Sequence, residues 1–223
     1  MVILCNKFKI LLDRLVIVTI IIFIVDTMYG IYGADNVKKI NDFNDFKRTV
    51  FYIYEELIYI DTLYLLYVAF DQQPELLHTD LFDANKQCCV DSYILSIYKL
   101  FDSNSSLNIF LIIEYILKDL NALDDEFLSL IDWYDQDKKY FYKQHNEYYS
   151  VIKKIKIFRN KVIAHADIQL IKSLKFEYTK FVEYWQLINL AKDIINITSK
   201  KYNIELDINR LEKHITYNKE LNF

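Results

Sequence analysis

Apolar positions along the chain keep the rhythm of amphipathic helices. Ile40, Phe43, Phe46 and Val50 recur at spacings of three and four, the pattern that lines one helix face. The stretch FYIYEELIYIDTLYLLYVAF (51–70) then turns apolar nearly all round, which predicts a central helix. Residues 37–71 therefore read as one long helix or two joined ones, ending at Gln73, which Pro74 biases away from helical backbone. A second helix is predicted from Asn85 to Phe101. The side chains of DSNSS (102–106) compete with helical backbone and predict a turn. Ser105 or Ser106 is the expected cap of a third helix, Leu107 to Leu120. In NALDDEF (121–127), Asp124 and Asp125 suit a further helix N-terminus, where negative charge is favoured. A long helix is expected from Lys138 to His165, and two more over 170–202 and 204–218.

Composition removes the competing reading. The many tyrosines, phenylalanines and β-branched residues favour strands locally. Yet the only glycines are Gly30 and Gly33 and the only proline is Pro74, whereas a sheet of this size needs tight, glycine-bearing turns. The expectation is an all-α helical bundle with one long motif-bearing helix. With 53% hydrophobic residues, a sizeable core is affordable and the composition argues against intrinsic disorder. Cys5, Cys88 and Cys89 make no disulfide framework. No Cys-x-x-Cys or histidine cluster completes a metal site around them, so they are read as small apolar residues, and no metal or cofactor is expected.

The N-terminus divides from the rest. LVIVTIIIFIV (15–25) is an unbroken apolar run preceded by Lys7, Lys9 and Arg14. Its length suits a signal-peptide core. Leu15 to Ala34 is long enough to span a bilayer only by burying Asp26. A third alternative is that translation begins at Met28. Residues 1–35 are thus an apolar extension (anchor, signal-like or non-native), and 36–223 one helical domain.

Charge is uneven. Residues 138–161 carry eight basic side chains (Lys138, Lys139, Lys143, Lys153, Lys154, Lys156, Arg159, Lys161) against Glu147 alone, while 119–137 carry seven acidic and no basic ones. Either the two segments neutralise each other across a helix pair, or the basic one is a polyanion-binding surface.

Within the basic segment, FRNKVIAHAD (158–167) breaks the binary pattern. At ~100° per residue, Phe158, Val162, Ile155, Ala166, Ile152 and Ile163 share one stripe, with Arg159 in its middle and His165 at its edge. A charge facing a core must be paired or must serve a purpose. A structural role would pair Arg159 with Glu55, Glu56 or Asp102 and hydrogen-bond His165 near a helix end. A chemical role would use both.

RNKVIAHAD resembles the Arg-x(4–6)-His signature of the HEPN superfamily, with five residues between Arg159 and His165. The finer pattern Arg-Asn-Lys-x-x-Ala-His-x-Asp resembles the abortive-infection AbiU-type branch. So does SIYKLFDSNSSLNIFLI (96–112), where a helix ends in Leu-x-Asp before a serine-rich turn. The likeness covers 38–200; the apolar N-terminal segment is not part of it. What the resemblance implies is a homodimeric, metal-independent endoribonuclease of a phage-defence or toxin–antitoxin system. RNA would be its substrate, and an antitoxin or other neighbouring-gene product its partner. Arg159 and His165 would be catalytic, Asn160 and Lys161 would bind substrate, and Asp167 would support His165. Such a domain belongs in the cytoplasm, where RNA is. The alternative is a non-catalytic HEPN-like nucleic-acid-binding or scaffold module, tethered to a membrane by residues 15–34.

Overall fold

The computed structural model describes residues 39–71, 80–119, 123–134, 147–160 and 181–211. All belong to one unit, Lys38–Phe223. Its helices are α1 (Phe43–Asp71), α2 (Asp80–Phe101), α3 (Ile109–Lys118), α4 (Asp125–Leu130), α5 (Glu147–Phe158) and α6 (Phe181–Lys201), with a short helical turn at 208–211. Among the described residues there is no strand, and the fold is all-α. None of their helices is long and apolar enough to cross a membrane. The apolar segment at 15–34 lies outside the described residues.

Asp42 starts α1: its Oδ1 accepts the Asp45 backbone N–H at 2.8 Å, satisfying a donor that the first turn leaves orphaned. The helix then runs unbroken and packs on α2, α3 and α6. Phe46, Val50, Ile53, Leu57, Ile60 and Leu63 are buried along it. Each contributes about 1.5–3 kcal/mol by leaving water. The wrap is incomplete, since Phe51 and Tyr52 remain exposed. At its N-terminal end Phe46 stacks on Tyr115 at 4.1 Å and meets Tyr202 edge-on at 4.9 Å, geometries that rings prefer.

Among the described residues, two ion pairs tie neighbouring helices to α1. Lys192 of α6 reaches Asp61 at 2.6 Å with both side chains sealed from solvent, and Lys99 of α2 lies 3.7 Å from buried Glu56.

Helix ends depart from expectation at several points. α2 begins at Asp80, five residues before Asn85. The cap of α3 is Asn108, not a serine: its Oδ1 accepts the Leu111 N–H at 3.1 Å. Ser105 is already occupied, exchanging hydrogen bonds with the Leu107 backbone, a local turn that holds the chain extended until Asn108. Asp124 caps α4 as expected, accepting from Phe127 N–H at 2.8 Å. α6 ends in a Schellman motif, with Ile204 N–H on Ser199 O and Asn203 N–H on Lys200 O. Asn203 takes the left-handed conformation, φ 49°, where a chain with glycine to spare would place one. Of the long helix expected over Lys138–His165, the described part is Glu147–Phe158. Arg159 and Asn160 follow in a π-type turn.

Candidate functional site

The site begins where α5 ends. Val151, Ile152, Ile155 and Phe158 are buried and seat α5 against α2 and α6. Arg159 follows Phe158 directly, yet its side chain is exposed. This corrects the expectation that it faces a core. The α-helical projection set it beside Ile155, but the backbone changes to a π-type turn at Arg159, and α2 stops at Phe101. A stripe is buried only where a neighbouring helix covers it, and Arg159 stands opposite the last turn of α2. There its guanidinium lies over the Tyr98 ring, 5.1 Å from the centroid, within cation–π range. Arg159 Nη1 donates to Asn160 Oδ1 at 2.8 Å. The side chain is therefore restrained on one face by the ring and at one edge by the amide.

Two of the three carboxylates named as possible partners for Arg159 have partners of their own. Glu56 faces Lys99. Asp102 accepts the Asn104 backbone N–H at 3.1 Å and lies beside the Tyr98 hydroxyl. Among the described residues Arg159 has no ion pair. Burial raises the pKa of the Tyr98 phenol and Asp102 adds to this, while Arg159 pulls it down. The three groups form one electrostatic unit in which the arginine's outer edge stays open to solvent. An exposed, half-restrained guanidinium matches the oxygens of a phosphate.

His165, Lys161 and Asp167 lie outside the described residues. Of the five predicted site residues the structure therefore describes Arg159 and Asn160, and it joins those two. Sequence reasoning missed Tyr98 as their neighbour. The signal was present, because Tyr98 falls in SIYKLFDSNSSLNIFLI (96–112), which with RNKVIAHAD carries the family resemblance, and the fold brings the two stretches together.

The surface leading to Arg159 is basic: Lys153, Lys154 and Lys156 are exposed on α5, with Tyr149 and Ile157 between them. Two carboxylates of the acidic stretch have partners at the end of α6 instead. Asp119 accepts from the Tyr202 hydroxyl at 3.0 Å, and Asp124 binds Lys201 at the end of α6. Hydrogen bonds from Lys201 and from the Phe127 N–H lower the Asp124 pKa. Asp135 and Asp137 lie outside the described residues.

Among the described residues, no three His, Cys, Asp or Glu side chains are grouped to hold a metal ion. Of the vicinal cysteines only Cys89 is the buried small residue expected, and burial pushes its thiol up to about 12; Cys88 is exposed. Cys5 lies outside the described residues.

In comparison with known proteins, the family model HEPN_AbiU2, described as AbiU2, matches residues 43–210. That span runs from the first residue of α1 into the turn at 208–211 and includes both Tyr98 and Arg159. Neither curated proteins nor solved structures gave a match.

Proposed function

Because the chain belongs to the AbiU2 family of HEPN domains, we propose that it is a metal-independent endoribonuclease of an abortive-infection or toxin–antitoxin system. The observation that carries this reading is Arg159, exposed and held by Tyr98 and Asn160 instead of being sealed against a carboxylate.

RNA brings its own nucleophile. The 2′-oxygen attacks the adjacent phosphorus and the bond to the 5′-oxygen breaks, leaving a 2′,3′-cyclic phosphate and a 5′-hydroxyl. One base takes the 2′-OH proton and one acid supplies a proton to the departing 5′-oxygen. His165 titrates near neutrality and suits either task. One imidazole cannot perform both at once, so the site is completed by the second copy of the motif in a two-fold homodimer. Arg159 stays charged and meets the charge growing on the phosphoryl oxygens. Asn160 orients the guanidinium it already binds, Lys161 adds attraction for the backbone, and Asp167 supports His165. The basic face of α5 guides the strand in. The enzyme works in the cytoplasm as the 36–223 domain, with an antitoxin or other neighbouring-gene product restraining it.

Incubating the purified protein with mixed RNA, with and without EDTA, and identifying the product ends tests this directly. Cleavage indifferent to EDTA and ending in 2′,3′-cyclic phosphate is expected. Intact RNA would leave the family's fold serving as a binding or scaffold module.

A further inference from the structure

We propose that Tyr98 is a positioning residue for Arg159, presenting the guanidinium to the phosphate in one orientation; this rests on the ribonuclease reading above. Arginine at the exposed end of a helix is ordinarily a mobile side chain, and its freedom would be lost when substrate binds. Here two contacts restrain it beforehand. The Tyr98 ring lies against the guanidinium at 5.1 Å, and Asn160 Oδ1 holds Nη1 at 2.8 Å. Together a face and an edge define the plane of the group. The N–H groups not engaged by Asn160 then point in a fixed direction, which is what bidentate recognition of phosphate needs.

The ring is itself well founded. Tyr98 lies in the last turn of α2, half-buried between Ile97 and Leu100 on either side of it in sequence, both fully buried in the core. Its hydroxyl end lies by Asp102, which is fixed in the following turn through Asn104. Because α2 packs on both α1 and α5, the platform belongs to the rigid bundle and not to a loop. The ring face acts on the guanidinium; the hydroxyl serves only to place the ring.

Three full-length variants test this. Tyr98→Phe keeps the face and should cleave RNA within about 2-fold of wild type. Tyr98→Leu and Tyr98→Met keep apolar cover but remove the face. They should lose roughly 2- to 30-fold in kcat/KM, the range of a cation–π contact. The second readout is the Arg159 Nε–H resonance in ¹⁵N NMR, assigned by its loss in Arg159→Lys. The ring should shift it upfield in wild type and in Tyr98→Phe, and the shift should vanish in the Leu and Met variants. Leu and Met variants that cleave like wild type would overturn the proposal. So would a Phe variant as impaired as they are, or a wild-type Arg159 signal with no ring-current shift. If neither Leu nor Met folds, the Phe variant and the wild-type resonance still decide. A wild type that leaves RNA intact would sink the ribonuclease reading alone, because the resonance reports the Tyr98–Arg159 restraint without any cleavage.

Discussion

Lys192 Nζ lies 2.6 Å from Asp61 Oδ2, joining α6 to α1, with side chains only 3% and 1% exposed. Burial pulls the lysine's pKa down and the carboxylate opposes it. A charge pair this deep is not a large source of net stability, but losing half of it leaves the other charge stranded. Lys192→Met should cost about 3–5 kcal/mol. The double replacement Asp61→Leu with Lys192→Met should recover most of that loss. Urea unfolding monitored by circular dichroism measures both. A double variant as unstable as the single one would show that the pair fixes something beyond its own charges.

Asp124 gives the molecule an acid-sensitive joint between α4 and α6. Hydrogen bonds from Lys201 and from the Phe127 N–H depress its pKa below the ordinary 3.8. A carboxylate with a depressed folded-state pKa adds stability above its unfolded value and loses it as pH falls through the folded one. The contribution should therefore be complete above about pH 4 and fade below that. Asp124→Asn keeps an acceptor for the cap but not the charge. Its stability should lie below wild type at pH 6, and the gap should narrow as pH falls below about 4, as read from thermal melts across that range.

The lysines of α5 should act through salt. Each phosphate contact on a single strand contributes about 0.7 to the slope of log K against log salt. Changing Lys153, Lys154 and Lys156 together to Gln should flatten the slope for RNA by about 2 while helicity is preserved. Filter binding across a salt series checks this. An unchanged slope would mean that RNA does not cross this face.

Much of the architecture was legible in the residues. The absence of glycine after Gly33 pointed to helices, and the near-continuous apolar run after Val50 marked α1 as central. What escaped was decided by neighbours. Ser105 satisfies the local rule for a cap, but its hydroxyl is engaged by Leu107, so the helix waits for Asn108. The rule that a charge inside an apolar stripe needs a reason was applied to Arg159, which proves exposed because α2 ends opposite it. The same rule applies to Lys192, set between Ile188 and Ile195, and to Asp61, set between Leu57 and Tyr64. There it would have found the truly buried charges. Periodicity tells which side of a helix is apolar, but not how far along its length another helix continues. The Arg159–Asn160 half of the candidate site was visible as a motif, whereas Tyr98 could be joined to it only through the packing of α2 on α5.

The central claim is that Arg159 serves phosphate chemistry and not the fold. Its most direct test compares RNA cleavage in EDTA by wild type and by Arg159→Ala, with unfolding midpoints measured on the same preparations. The account predicts that wild type leaves 2′,3′-cyclic phosphate ends, that the variant leaves RNA intact, and that the two midpoints lie close together, since the only contact the fold loses with the side chain is an exposed cation–π pair worth about 0.5–1 kcal/mol. Equal cleavage by both proteins, or a variant that unfolds well before wild type, would contradict it.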